Sequence, residues 1–142
     1  MLETGIKGQQ SEVVTKEKTA MEMGSGTLPV YATPAMIALM EKTAMLSVAP
    51  MLAEDEATVG TRLEISHLAA CGLDAQVRCE STLTEIDRKR LVFEVQAFEG
   101  ETLIGKGVHE RFIINTVKSC KRNYIFFGNR CFSVFDSIIV SS

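Results

Sequence analysis

The hydrophobic pattern changes period once along the chain. Residues 31–46, YATPAMIALMEKTAML, are apolar almost throughout after an opening turn, interrupted only by Glu41, Lys42 and Thr43. Apolar residues on nearly every side of a 3.6-residue turn predict a helix covered on most sides rather than one lying on a surface. Thr33 before Pro34 predicts the start, with Thr33 as N-cap and Pro34 supplying the preset φ of the first turn. Pro50 marks its approximate end. Downstream the period falls to two. Residues 57–69, 73–87, 90–100 and 101–115 alternate β-branched or aromatic residues with polar ones, as half-buried strands do. DRKR (87–90) and EGET (99–102) read as hairpin turns, which makes the last three strands antiparallel neighbours. Upstream, QSEVVTKEKTA (10–20) reads as a first strand and MEMGSGTLP (21–29) as a Gly-rich loop. One strand, one long buried helix and four strands predict an α+β fold, an antiparallel sheet wrapped around a single central helix.

Composition narrows the function classes. At 142 residues the chain suits one domain with a real core. A net charge of −3, with no run of Lys or Arg, argues against a nucleic-acid-binding groove. The N-terminal MLETGIKGQQSEVV has no basic start followed by an apolar stretch, so a secretory signal is not expected. The longest apolar stretch carries Glu41 and Lys42 at its centre, which fits a core helix and not a membrane span. Cys71, Cys79, Cys120 and Cys131 form no CxxC pair and show no metal-ligand spacing. They read as reduced thiols of a cytoplasmic protein, with no metal or redox cofactor implied.

Residues 117–142 break the style of the rest. They hold four of the seven Phe and two of the four Cys with no clean period. The expected organisation is therefore a domain over 1–116 and an atypical tail over 117–142. The tail reads either as an extra strand or loose extension, or as a segment foreign to the domain that needs a partner surface.

Three residues are candidates for chemistry. A lone ionised carboxylate in an apolar helix is costly to bury unless paired or hydrogen-bonded, so Glu41 either pairs with Lys42, reaches solvent, or performs a reaction. Thr33 is explained as a cap, yet its hydroxyl would sit at the positive end of the helix, where developing negative charge is stabilised. His67, in EISHLAACG, closes a strand before a loop of small residues; a lone His there is more often structural than basic. His109, in GVHERF, carries the same structural expectation, and Cys71 reads as a small core residue. No GxSxG elbow, phosphate loop or HExxH is present.

YATPAMIALMEKTA, VGTRLEISHLAACG and DRKRLVFEVQAFEGETLIGKGVHERFII together resemble the hotdog-fold thioesterases of the fluoroacetyl-CoA thioesterase-like family, from about residue 10 to 116. The eight-residue step from Thr33 to Glu41 and the 26-residue step from Glu41 to His67 match that family's catalytic Thr, Glu and His. The GxGxHER ending is matched by Gly105–Arg111. The resemblance implies a helix wrapped by an antiparallel sheet, a homodimer with acyl-CoA at its interface, and hydrolysis of a short- or medium-chain acyl-CoA. It assigns catalysis to Thr33, Glu41 and His67, the thioester carbonyl to the Gly60 amide, and the acyl end of the pocket to Arg111. The aromatic lid of the fluoroacetate-handling members has no match in GSGTLPVYAT, where Leu28 stands instead. Two other readings of the same fold are a non-catalytic acyl-CoA-binding module and a dehydratase acting on a 3-hydroxyacyl thioester. The basic turn Arg88–Lys89–Arg90 reads as a solvated hairpin tip or as a contact for the CoA phosphates.

Overall fold

A computed structural model describes residues 1–116 and two further short strands, Tyr124–Phe127 and Arg130–Ser133. The first 116 residues form β1 (Lys7–Val13), a short helix α1 (Ala20–Met23), a long helix α2 (Thr33–Val48), β2 (Glu56–His67), β3 (Gln76–Asp87), β4 (Arg90–Glu99) and β5 (Thr102–Asn115). The five strands make one antiparallel sheet in the order β1-β3-β4-β5-β2, with α2 packed on its inner face. This is the α+β hotdog layout, and both hairpin turns lie where DRKR and EGET place them.

Alternation decides which residues fill the core. β3 buries Val77, Cys79, Ser81 and Leu83, and β4 buries Leu91, Phe93, Val95 and Ala97, every second residue of each strand. Against them α2 buries Ala35, Met36, Leu39, Met40, Thr43, Ala44 and Val48, spaced three or four apart. Each large apolar side chain buried this way contributes roughly 1.5–3 kcal/mol. Gly105 of β5 lets the helix approach: a Cβ there would collide with the Met36 thioether.

Three expectations change. The first strand covers Lys7–Val13, not 10–20. After the buried Val14 the chain makes one 3-10 turn (Lys16–Lys18), and Thr19 then caps α1 by accepting from the Glu22 amide. Local bonds of this kind draw the backbone out of a strand ladder. The helix cap is Ala32, at φ −73° and ψ 138°, and Thr33 is already helical. Finally, α2 is covered on one side only within a single chain: Ala38, Lys42 and Leu46 are exposed on the other. The tail reading lies outside the described residues apart from β6 (Tyr124–Phe127) and β7 (Arg130–Ser133), which pair antiparallel.

Candidate active site

The first turn of α2 meets the end of β2. With Ala32 as cap, its carbonyl accepting from the Met36 amide at 3.0 Å, the Thr33 hydroxyl is free for another partner. That partner is His67 Nδ1, 2.8 Å from Thr33 Oγ1. Burial holds the His67 pKa below its ordinary 6.5, so the ring is neutral at pH 7. In the tautomer with its proton on Nε2, Nδ1 accepts the Thr33 O–H and can take its proton. Among the described residues the buried His67 Nε2 has no hydrogen-bond partner. A hollow of about 320 Å³ opens beside this pair, with Ala20, Ser25 and Val30 along its far wall.

That wall belongs to a strap over residues 20–30 that closes on itself. The Ala20 amide donates to the Val30 carbonyl at 2.8 Å, Met21 to Leu28 at 3.1 Å, and Ser25 to Ala20 at 3.0 Å. Its C-terminal end is fixed by Tyr31, whose amide donates to Cys71 and whose phenol donates to Glu12 at 2.6 Å, while Lys18 pairs with the other Glu12 oxygen at 2.7 Å. Leu28, where an aromatic residue would fall, is 62% exposed.

Glu41 lies two turns further along, about 12 Å by helical rise, in a second polar group. Its Oε2 is 3.6 Å from Arg111 Nη1, so its cation is Arg111 on β5, not Lys42, which is exposed. Its side chain retains 39% exposure, so its charge is only partly desolvated. Arg111 is almost fully buried and fixed from several sides. Its Nε donates to Thr58 Oγ1 at 2.8 Å, its Nη2 to the Thr58 carbonyl at 3.0 Å, and its Nη1 lies 3.1 Å from His109 Nε2. Desolvation lowers the Arg111 pKa and the Glu41 charge raises it. Gly60 stands opposite Arg111 in the β2–β5 register, directly before a β-bulge at Thr61. A Cβ on Gly60 would lie 2.6 Å from Glu41 Oε2.

The five expected residues therefore fall into two groups within one chain: Thr33 with His67, and Glu41 with Gly60 and Arg111. His109, read as structural from sequence, is fully buried in the second group. Its signal was available: His109 and Arg111 are two apart on a strand, hence on one face. Cys71 is buried with its thiol pushed up by desolvation, which leaves it protonated and poorly nucleophilic. Of the basic turn, Arg90 is engaged by Glu85 and Glu110, while Arg88 stays exposed. Among the described residues no cluster of acidic, His or Cys side chains could hold a metal ion, and no helix is long and apolar enough to cross a membrane.

Residues 14–117 match the family described as fluoroacetyl-CoA-specific thioesterase. The fluoroacetyl-CoA thioesterase of Streptantibioticus cattleyicolor is 35% identical over 89 residues, 63% of this chain and 64% of that protein, so the matched stretch spans less than two thirds of the relative. A solved structure of a fluoroacetyl-CoA thioesterase superposes with a TM-score of 0.79 at 29% identity, covering 86% of this chain and 95% of the other. A thioesterase-superfamily protein of Thermus thermophilus gives a TM-score of 0.79 at 30% identity, over 86% of this chain and 90% of the other. A variant of the fluoroacetyl-CoA enzyme, solved with acetyl-CoA, superposes with a TM-score of 0.80 at 28% identity, covering 85% of this chain and 96% of the other.

Proposed function

The chain belongs to the fluoroacetyl-CoA-specific thioesterase family, and on that premise we propose that it hydrolyses a short- or medium-chain acyl-CoA to the free acid and CoA. The observation that carries this reading is the pairing of Thr33 Oγ1 with His67 Nδ1 at the helix N-terminus, alongside a helix carboxylate held against a side-chain-free backbone at Gly60. Hydrolysis of a thioester needs an oxygen nucleophile, a proton for the leaving thiolate and donors for the carbonyl oxygen. Glu41 supplies the basic oxygen. It either attacks the carbonyl, forming an anhydride that water then opens, or takes a proton from attacking water. His67 carries the proton that ends on the CoA sulfur, Thr33 orients that ring through its O–H bond to Nδ1, and the Gly60 amide faces the carbonyl. Arg111 lines the acyl end and orients the Glu41 carboxylate from 3.6 Å. The exposed Leu28 supports a general acyl-CoA hydrolase rather than one selective for a fluorinated acyl group.

The working unit is a homodimer. Two features support this: β2 is a sheet edge with Leu63 exposed, and the uncovered face of α2 presents Ala38 and Leu46. A dimer also resolves the separation of the two polar groups, since the Thr33–His67 pair of one subunit can meet Glu41 of the other. Residues 1–116 are the catalytic domain, in keeping with a family match that ends at 117. The cytoplasm is the compartment, where acyl-CoA is found and where the buried Cys71 and Cys79 stay reduced. No cofactor beyond the CoA of the substrate enters the reaction.

The test is thiol release from acetyl- to decanoyl-CoA and from fluoroacetyl-CoA, comparing the wild type with Glu41→Gln. Turnover that disappears in the variant supports the reading. Undiminished turnover removes Glu41 from the mechanism, and acyl-CoA binding without any thiol release makes the protein a binding module.

A further inference from the structure

We propose that His109 is a positioning residue for the thioesterase site, acting through Arg111 on Glu41 and through the β2 bulge on Gly60. The proposal rests on the hydrolase reading above but concerns a residue that reading does not use. The His109 ring is fully buried and both nitrogens are engaged. Nδ1 lies 2.8 Å from the Arg62 carbonyl, which can only accept, so Nδ1 carries the proton. Nε2 is then a lone pair, and it faces Arg111 Nη1 at 3.1 Å, which can only donate. The two partners fix one neutral tautomer without ambiguity. A protonated ring would set an N–H against the guanidinium, and desolvation, the largest effect on its pKa, also keeps it neutral.

Each bond has a separate consequence. The Nδ1–H bond holds the Arg62 carbonyl, and the neighbouring Thr61 hydroxyl donates to the Glu110 carbonyl at 3.2 Å, so the bulge directly after Gly60 is tied from β5. The Nε2 bond completes the set around Arg111, whose other nitrogens are held by Thr58. Nη1 is the atom that faces both His109 and Glu41, so moving the ring moves the cation that orients the carboxylate. The ring is also near enough to matter sterically, since a Cβ on Gly60 would meet His109 Cε1 at 3.2 Å. The charged groups around the ring are Arg111, Glu41 and Glu110. The ring is hydrogen-bonded to the Arg62 carbonyl and to Arg111 Nη1 and not to Glu41 itself, so it positions the carboxylate and does not transfer its proton.

Two isosteric changes separate the bonds. His109→Asn keeps a donor near Nδ1 for Arg62 but has no acceptor for Arg111. His109→Gln places an amide oxygen near Nε2 and keeps that acceptor. Expected for His109→Asn is a kcat roughly tenfold to a hundredfold lower, the scale of misplacing a reacting group, with KM little changed. His109→Gln should recover most of kcat. Equal kcat losses in both variants, or losses that track their melting temperatures, overturn the proposal and leave His109 as packing. A second readout does not depend on turnover: nitrogen-resolved NMR of the wild-type ring should show the neutral form with the proton on Nδ1 at pH 7. A proton on Nε2 or a charged ring overturns the assignment even if the protein proves to be a binder. No thiol release from the wild type, with the Nδ1–H tautomer observed, overturns the hydrolase reading alone.

Discussion

Gly60 and Glu41 compete for one space: the position a Cβ would take on Gly60 is 2.6 Å from the carboxylate Oε2, far inside contact distance. The atom that must give way is the end of a flexible side chain, so the fold can absorb a methyl group at a cost near the low end of overpacking, about 1 kcal/mol. The carboxylate cannot move without leaving its place beside Arg111. Gly60→Ala is therefore expected to lower kcat by at least roughly tenfold while the melting temperature shifts by only a few degrees. Comparing thiol release with thermal unfolding checks it, and a variant with near-normal kcat would show that Glu41 is not held at this point during the reaction.

Thr33 makes a sharper stability prediction because it is not the cap. Loss of an N-cap hydroxyl typically costs about 1 kcal/mol. Here the hydroxyl is spent on His67, in an exposed position. Thr33→Ala should thus change stability by less than about 0.5 kcal/mol while reducing kcat by roughly 10²-fold. Thr33→Ser, which keeps the hydroxyl, should keep most of the activity. Urea unfolding and steady-state kinetics on the same preparations separate the two roles.

The two polar groups of one chain sit about 12 Å apart along α2, and the dimer reading joins them across the interface. Thr33→Ala and Glu41→Gln homodimers should each retain about a hundredth of wild-type activity or less. Unfolded together and refolded as a mixture, they should regain roughly a quarter of wild-type activity, because random pairing makes half the dimers mixed and one site of each mixed dimer is intact. No recovery in a mixture shown to contain mixed dimers would mean that each site is built within one chain.

Acid should affect stability and rate together. Burial depresses the pKa values of both His67 and His109 below 6.5, so the unfolded chain binds protons in a pH range where the folded chain does not. Stability then rises with pH through that range and is lost as pH falls from 6.5 through the folded values. The melting temperature should be level above pH 7 and decline below 6.5. The acid limb of kcat/KM should likewise lie below 6.5, where His67 becomes protonated. A limb above 6.5 would assign the proton transfer to another group.

Much of the fold was legible because it rests on period. The apolar run after Pro34 and the alternation in β3 and β4 follow directly from which faces must be buried. The first strand is misplaced because the β-branched content of Val13, Val14 and Thr15 runs on past Val13, where the strand ends and the local bonds of Thr19 take over. The site was legible in its residue types and spacings but not in its partners. Thr33 obeyed the local rule for caps until a tertiary bond claimed its hydroxyl. Lys42, adjacent in sequence, could not face Glu41 on a helix; the required cation stood on β5, seventy residues away. His109 was passed over because a strand-interior His has no local signature, although its shared face with Arg111 was present in the spacing.

The strap over residues 20–30 closes its own backbone bonds, and Leu28 on it touches solvent more than protein. Evolution can therefore rewrite this segment without disturbing Thr33, because Tyr31 pins the junction between them. On the hydrolase reading, new side chains on the strap would change what the hollow accepts while the Thr33–His67 pair beside it keeps its bond.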